Sequence, residues 1–170
     1  GVEFALLDPD GKSVTVGETG EIVVRGPFLM DGYYNNAEET AAYFKHMDGW
    51  AWTGDLAVMD EDGFVTLAGR SKDMIVSGGV NIYPREVEIA LEKHEAVTDC
   101  TVFGIPDKKW GETVKAVVVV RSGETLTAEE VMAFARTRIA GYKIPRSVDF
   151  VDELPRNPSG KILKRELRRP

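Results

Sequence analysis

The pattern of apolar residues changes near Gly69-Arg70, and this change constrains the fold more than any other feature of the sequence. Before it, short alternating stretches such as residues 21–25 are separated by turns such as Asp8-Pro9-Asp10-Gly11, which predicts strands with little helix. After it, uncharged runs such as residues 116–120 alternate with helical periodicity, as in residues 127–138. The chain is therefore expected to contain two parts of different architecture.

We predict an α+β fold, with a small β-rich part over residues 1–68 and a compact α+β domain over residues 69–170, in which helices pack on one sheet. The predicted strands are residues 2–7, 21–25, 52–59, 64–68, 73–77, 97–105, 113–121 and 147–150. The predicted helices are residues 36–45, 84–93 and 127–138, with a last helical turn at 164–168. The first part is a small distorted barrel or an open sheet.

The charge distribution follows the same division. Residues 1–68 hold 3 basic and 13 acidic side chains, whereas residues 69–170 hold 18 and 15. The basic half suits a phosphate-bearing ligand, and the acidic half argues against nucleic acid as a partner. The alternative is that acidic loops only keep the first half in solution.

The metal-binding and redox residue types give little signal. The single cysteine, Cys100, cannot form an internal disulfide, which favours a reducing cytoplasm, and its strand-like surroundings favour packing over reactivity. His46 and His94 lack metal-ligand spacing and are predicted to be surface residues without a metal. No apolar run approaches the length of a membrane-spanning helix.

Two motifs could bind the sugar and phosphate of a nucleotide. In Thr53-Gly54-Asp55, a carboxylate beside a glycine can accept hydrogen bonds from a vicinal diol such as that of ribose; the alternative is an aspartate that caps a turn. In Gly69-Arg70-Ser71-Lys72-Asp73, the charged residues at the boundary could bind ribose or phosphate and change partners during a domain movement. The alternative is an ordinary charged linker.

Two further motifs combine unusual backbone with a potential ligand contact. The adjacent glycines of Ser77-Gly78-Gly79-Val80 precede a helix and permit close approach of a ligand, or they form only a turn. The motif lacks the lysine and hydroxyl that end a Walker A loop. In Pro155-Arg156-Asn157-Pro158-Ser159-Gly160-Lys161-Ile162, a tight turn presents one lysine, a point charge suited to a transferring phosphoryl group. The alternative is a solvated surface lysine.

Together, in this order and spacing, these motifs resemble those of the adenylate-forming superfamily, which contains acyl-CoA synthetases, luciferases and the adenylation domains of peptide synthetases. The resemblance extends from residues 20–34 through 49–55 and 69–88 to 154–163. The residues Ser77-Gly78-Gly79-Val80-Asn81-Ile82-Tyr83-Pro84 are most similar to fatty-acid and aryl-acid CoA ligases. The chain is thus identified as resembling the C-terminal part of an AMP-forming acyl-CoA synthetase.

The resemblance implies roles in nucleotide chemistry. Asp55 would bind the ribose hydroxyls of ATP and of the acyl-adenylate, and Arg70 would contact the same region. Lys161 would bridge the substrate carboxylate and the α-phosphate during adenylation. Lys72 occupies the hinge position, where some relatives have aspartate. A rotation about it would withdraw Lys161 after the first step.

It also implies roles in the transfer to CoA. Gly78, and beside it Gly79, would line the tunnel for the pantetheine arm, where a side chain at Gly78 would obstruct the thiol. Trp110-Gly111-Glu112 and Lys143 are expected as neighbours of CoA. The implied substrates are a carboxylic acid, ATP and CoA, with Mg²⁺ held elsewhere in the protein.

Several superfamily features are absent from the sequence: the Ser/Thr/Gly-rich phosphate loop, the acyl pocket, the aromatic adenine motif and the magnesium-binding glutamate. We therefore expect residues 1–68 to be the β-rich end of the large adenylation domain and residues 69–170 to be the mobile lid. We expect the chain alone to be inactive. The acid is expected to be a fatty acid. Open alternatives are an aryl-CoA ligase, a luciferase-like or carrier-protein-loading enzyme, and a standalone non-catalytic module that binds nucleotide or a partner protein.

Overall fold

A computed structural model describes residues 1–46 and 49–168 of the chain. Its contacts divide the chain into two compact units, Gly1–Lys72 and Asp73–Pro170. Residues 69–72, which the predicted second part includes, lie in the first of these units. The two units are described separately below.

The first unit is an antiparallel meander with one short helix. Its strands are β1 (Glu3–Leu7), β2 (Thr19–Arg25), β3 (Ala51–Met59) and β4 (Val65–Arg70), in the order β1-β2-β3-β4. The helix α1 (Ala37–Tyr43) begins after Asn36, whose side chain accepts a hydrogen bond from the amide of Glu39, as its N-cap position predicts. Leu7, Val23 and Trp52 form a core cluster of this unit. Because β1 and β4 lie at opposite ends of the strand order, the sheet is open rather than a barrel.

The second unit is a mixed sheet with helices on one face and the C-terminal segment, which includes a further short helix, on the other. Its strands are β5 (Ile75–Ser77), β6 (Val80–Ile82), β7 (Val97–Asp107), β8 (Gly111–Val120) and β9 (Ser147–Phe150). Its helices are α2 (Pro84–Leu91), α3 (Ala128–Arg136) and α4 (Lys164–Leu167). The strand order is β6-β5-β8-β7, and β9 pairs in parallel with β8 on the same side as β5. The predicted α+β class is confirmed, and β8 is internal, as its lack of charge predicts.

The two faces of this sheet have different covers. Val102, Ala116 and Val118 face a core that includes residues of α2 and α3. Their neighbours Phe103 and Val117 point the opposite way and pack with Leu154, Ile162 and Leu167 of the C-terminal segment. Residues alternate between faces along a strand, so one sheet supports both covers. The C-terminal segment is thereby held as a second layer.

Local differences from the prediction have identifiable causes. The strand β6 lies in the glycine motif, for which the sequence predicts only a turn, because the adjacent Gly78 and Gly79 are typical of turns. Helix α3 begins after Thr127, whose side chain and that of Glu130 form the predicted capping box. His94 is half-buried rather than on the surface, because its Nδ1 accepts from the Ala96 amide and its ring lies against Phe134. No helix in the described ranges has the length and apolar character needed to cross a membrane.

Candidate active-site segments

The Thr53-Gly54-Asp55 segment lies within β3, at an irregularity in its pairing with β2, and not in a turn. Gly54 has a φ of +75°, a left-handed conformation that favours glycine. Its amide donates to Oε1 of Glu21 at 2.9 Å, and the Thr53 hydroxyl donates to the carbonyl of Ile22 at 2.9 Å. The segment is therefore fixed against β2, and the direction of Asp55 is fixed with it.

Asp55 and Arg70 are brought together by strand pairing. They are direct partners in the register of β3 and β4, and Nη1 of Arg70 lies 3.0 Å from Oδ1 of Asp55. Nη2 of Arg70 also donates to the Thr53 carbonyl at 3.2 Å. The two side chains are 43% and 37% exposed, so this pair remains open to a ligand that carries both hydroxyls and a phosphate.

Lys72 lies in a 3-10 turn, Ser71–Asp73, where the two units meet in sequence. Its side chain is exposed, and no described residue forms a hydrogen bond or an ion pair with it.

The two adjacent glycines form the tip of a two-residue hairpin. Ser77 pairs with Val80, and Gly78 and Gly79 have φ values of +58° and +81°, the pattern of a type I′ turn. The predicted turn is thus observed. Both glycines are exposed, so a ligand can approach the backbone here.

Trp110 lies directly beside this hairpin. Its carbonyl accepts a 2.8 Å hydrogen bond from the Gly78 amide. Its half-buried ring is flanked by cations, with the Lys109 ammonium 4.7 Å and the Arg146 guanidinium carbon 5.3 Å from ring centroids. An aromatic ring with two cations is a suitable surface for an anionic, partly planar ligand.

Lys143 is an ion-pair partner rather than a free cation. Its Nζ lies 2.6 and 2.7 Å from the two carboxylate oxygens of Glu86, in the first turn of α2. Partial burial opposes the charge, but the hydrogen bonds and charge of Glu86 outweigh it and raise the pKa of Lys143. Lys143 therefore remains charged and fixed near the start of α2.

Lys161 is carried on a turn that Asn157 organises. Oδ1 of Asn157 accepts from the Ser159 amide, the Ser159 hydroxyl and the Lys161 amide at 3.1, 2.8 and 2.8 Å. Gly160 has a φ of +84°. The Lys161 side chain is exposed and has no hydrogen bond or ion pair to the described part of the chain. The turn therefore holds the backbone and leaves the ammonium free.

The segment that carries Lys161 is tied to β7 by one ion pair and one hydrogen bond, and to α2 by a second ion pair. On one side, Arg156 pairs with Asp99. On the other, Nζ of Lys164 lies 3.4 Å from Oε1 of Glu88 and donates to the Val102 carbonyl at 2.9 Å. Oε1 of Glu88 also accepts from the Val102 amide at 2.9 Å, so the edge of β7 is satisfied by side chains.

The sequence assigns no role to five of these residues, although three of them lie within its motifs. The five are Glu21, Glu88, Asp99, Arg156 and Lys164. A buried acidic residue such as Glu88, on the otherwise apolar face of α2, is the one signal that could have indicated such a partner. Within the described ranges, no three His, Cys, Asp or Glu side chains are arranged to hold a metal ion. The acidic side chains of the described ranges therefore do not fit a magnesium site.

Comparison with known proteins places the segments in one family. Residues 86–161 match the family model of the AMP-binding enzyme C-terminal domain. The chain is 51% identical over 167 residues to a feruloyl-CoA synthase of an Amycolatopsis species, covering 98% of the chain and 34% of that protein. It is 54% identical over 150 residues to a long-chain-fatty-acid–CoA ligase of Bacillus subtilis, covering 88% and 26%.

A solved structure agrees. The o-succinylbenzoate CoA synthetase of Bacillus subtilis, in complex with its acyl-adenylate intermediate, superposes with a TM-score of 0.88 at 40% identity, covering 99% of this chain and 34% of that one. The chain spans about a third of the length of the relatives it matches. The predicted resemblance is confirmed: the chain belongs to the adenylate-forming superfamily, carries its AMP-binding enzyme C-terminal domain, and has CoA ligases as homologues.

Proposed function

We propose that the full-length protein is an AMP-forming acid–thiol ligase, which activates a carboxylic acid with ATP and transfers the acyl group to CoA. The observation that carries this proposal is the free ammonium of Lys161 on a turn whose backbone is fixed by Asn157. Lys143 and Lys164 have ion-pair partners, whereas Lys161 has none among the described residues, and the three hydrogen bonds that organise its turn distinguish it from a solvated surface lysine. Homology to CoA ligases supports the same conclusion.

In the first half-reaction, a carboxylate oxygen of the acid attacks the α-phosphorus of ATP, and pyrophosphate leaves with the electron pair of the broken bond. Two anions must approach each other, so a cation at the reaction centre lowers the barrier. We assign this role to Lys161. We assign the ribose hydroxyls to the free carboxylate oxygen of Asp55, with Arg70 holding that carboxylate and contacting the same region.

In the second half-reaction, the CoA sulfur, having lost its proton to solvent, attacks the acyl carbonyl carbon, and AMP leaves with the electron pair of the carbon–oxygen bond. We assign Gly78 and Gly79 to the path of the pantetheine arm, because a hairpin tip without side chains lets the arm pass close to the backbone. Trp110 and Lys143 lie next to this hairpin or to the helix after it, and are assigned to the CoA side.

We propose that the two half-reactions alternate by a rotation of the second unit about Lys72, with residues 1–68 belonging to the large domain and residues 69–170 forming the lid. Domain rotations of this kind serve many enzymes that need different catalytic groups in successive steps. Replacement of Lys72 by proline, which fixes φ, is expected to slow the second half-reaction more than the first. The measurement is single-turnover kinetics of each step.

The preferred acid is a fatty acid. An aryl acid is the second candidate, favoured by the similarity to feruloyl-CoA synthase. Mg²⁺ is expected to bind to residues outside this chain. A cytoplasmic location follows from the use of ATP and CoA and agrees with the lone, buried Cys100.

The test separates the two half-reactions in the full-length protein. Lys161→Ala is expected to abolish pyrophosphate exchange with dodecanoate or ferulate, while thioester formation from supplied dodecanoyl-adenylate and CoA continues. Lys93→Ala, which removes another exposed lysine of the same unit, is the control and should affect neither step. Equal loss of both steps in Lys161→Ala would refute the role assigned to Lys161.

The test also decides between the alternatives. Release of AMP that depends on a carrier protein rather than on CoA would identify a carrier-protein-loading enzyme. Binding of ATP by the full-length protein without pyrophosphate exchange would favour a non-catalytic module. The 170-residue chain alone is expected to give no exchange, because it lacks the phosphate loop and the acyl pocket.

A further inference from the structure

The peptide group between Gly160 and Lys161 is held at both of its polar atoms by side chains. Its carbonyl accepts a 2.8 Å hydrogen bond from Nη1 of Arg156. Its amide donates a 2.8 Å hydrogen bond to Oδ1 of Asn157. The orientation of this peptide plane sets the direction in which the Lys161 side chain leaves the backbone, so the two side chains together aim the ammonium.

Backbone hydrogen bonds close the turn around this peptide but leave one of its polar atoms to Arg156. The Gly160 amide donates to the Asn157 carbonyl at 2.8 Å, and the Asn157 amide donates to the Lys161 carbonyl at 2.9 Å. Gly160 has a φ of +84°, and a Cβ placed on it would have nothing within 4 Å, so no side-chain packing supports the turn there. The Gly160 carbonyl, which Asn157 does not hold, is held by Arg156.

Arg156 is itself tied to a rigid element. Its Nη2 donates to Oδ2 of Asp99, a residue of β7, which pairs with β8 along most of its length. A register shift between Val97 and Asp99 marks an irregularity in β7, and irregularities of this kind redirect side chains out of the regular pattern. The guanidinium thus connects the tip of the turn to the sheet, because Nη1 donates to the Gly160 carbonyl and Nη2 donates to Asp99.

We propose that Arg156, anchored by Asp99, is a positioning residue that aims Lys161 at the reacting phosphate. This inference rests on the proposed function of Lys161. Exposed ion pairs contribute little to stability, and Arg156 and Asp99 are 44% and 33% exposed. The effect of the pair should therefore appear in the adenylation rate and in the mobility of one peptide group, rather than in folding.

The experiment compares variants of the full-length protein. Arg156→Gln is expected to lower kcat for pyrophosphate exchange with dodecanoate about 10- to 100-fold, since displacements of about 1 Å cost this much. The KM for ATP and the rate of thioester formation from dodecanoyl-adenylate should change little. Arg156→Lys should recover only part of the loss, because one ammonium cannot hold both partners in the planar geometry of the guanidinium. Asp99→Asn should show a smaller loss of the same kind.

The matched control is Asp149→Asn, which breaks a partly exposed pair with Lys115 in the same unit and should leave both half-reactions unchanged. A second readout is amide hydrogen exchange at Lys161 in the protein without substrates. It should be faster in Arg156→Gln and unchanged in Asp149→Asn.

Two results would overturn the positioning role: exchange of pyrophosphate at the wild-type rate in Arg156→Gln, or equal loss of both half-reactions. If the wild-type protein itself exchanges no pyrophosphate with dodecanoate or ferulate, the proposed function fails instead. The amide exchange at Lys161 then decides by itself whether Arg156 fixes this peptide, and an unchanged rate refutes that.

Discussion

Gly78 is hydrogen-bonded to the backbone of Trp110 and lies against the Trp110 ring. The Gly78 amide donates to the Trp110 carbonyl at 2.8 Å, and a Cβ placed on Gly78 would lie 2.7 Å from Cε3 of the Trp110 ring. Its neighbour Gly79 has a similar backbone conformation, but a Cβ there would meet nothing within 4 Å. Both glycines have a left-handed backbone. Only Gly78 has a neighbouring ring that an added side chain would strike.

This difference predicts unequal effects of alanine at the two positions. Gly79→Ala should lower the free energy of unfolding by about 1 to 2 kcal/mol, the usual cost of a left-handed conformation for a residue with a Cβ. Gly78→Ala should cost more, because the Trp110 ring must also move. Urea unfolding of the chain measures both values.

A double variant tests the cause. In the background Trp110→Ala, the additional cost of Gly78→Ala should fall to that of Gly79→Ala, since the collision is gone. Equal costs of the two alanine substitutions in the wild-type background would contradict the contact with the ring.

The Glu88–Lys164 pair predicts a coupled loss of stability. The two side chains are 12% and 22% exposed, and Lys164→Met would leave the carboxylate of Glu88 without its charged partner from α4. We expect a loss of about 2 kcal/mol, below the range for fully buried pairs because both groups keep some contact with water. The free energy of unfolding of Lys164→Met measures it.

A comparable lysine provides the control. Lys115 is 20% exposed, but its partner Asp149 is 55% exposed, so Lys115→Met should cost about 0.5 kcal/mol. The double variant Glu88→Gln with Lys164→Met should lose less than the sum of the two single losses. Strict additivity would mean that the pair does not act as a unit.

Because Cys100 is buried, we expect the free energy of unfolding to fall at alkaline pH. Burial, followed by the charges of Glu88, Glu92 and Asp99, raises the pKa of the Cys100 thiol from 9.0 to about 12. Because the pKa is higher in the folded state, this contribution to stability is complete below the ordinary pKa of the thiol. It is lost as the pH rises toward the folded value.

Two measurements check this. The free energy of unfolding of the wild-type chain should fall more steeply above about pH 9 than that of Cys100→Ala. At about pH 8, a thiol reagent should modify Cys100 only after unfolding in urea, since the reactive species is the thiolate. Rapid modification of the folded chain would show that the thiol is more accessible than its 3% exposure indicates.

The capping box of α3 predicts a loss at acid pH. The backbone and side-chain hydrogen bonds of Thr127 lower the pKa of Glu130, so the stabilisation is present above the ordinary carboxyl pKa and is lost as the pH falls through the lowered value. Thr127→Ala should cost about 1 kcal/mol at neutral pH, as is usual for the loss of an N-cap, and should reduce this acid dependence. Thermal unfolding at neutral and acidic pH measures both, with Thr125→Ala, just outside the helix, as the control. An unchanged acid dependence in Glu130→Ala, which removes the carboxylate that accepts from the Thr127 amide and hydroxyl, would argue against the reciprocal bond.

Local sequence signals predicted most of the elements. The strand β9 was predicted with its observed bounds, and the caps at Asn36 and Thr127 were predicted from residue type alone. These features depend on residues within a few positions of each other. The strand β6 was missed because three residues between a glycine pair and a proline give too short an alternation to recognise.

The connections that place the candidate side chains were not predictable in this way. Arg156 and Asp99 are 57 positions apart, and Lys164 and Glu88 are 76 positions apart. Such pairs depend on the strand order and on which face of the sheet the C-terminal segment covers. The pairing of Asp55 with Arg70 depends likewise on the register of β3 against β4. The motifs indicated candidate residues, and the fold determines what each one contacts.

The segment that carries Lys161 also shields one side of the sheet, where Phe103 and Val117 are at most 1% exposed. A deletion that ends the chain before Leu154 would uncover these side chains together with the loss of the lysine. The resulting protein would expose an apolar patch that promotes self-association. A truncated protein could therefore lose activity through aggregation rather than through the loss of Lys161. The role of Lys161 has to be tested by a point substitution.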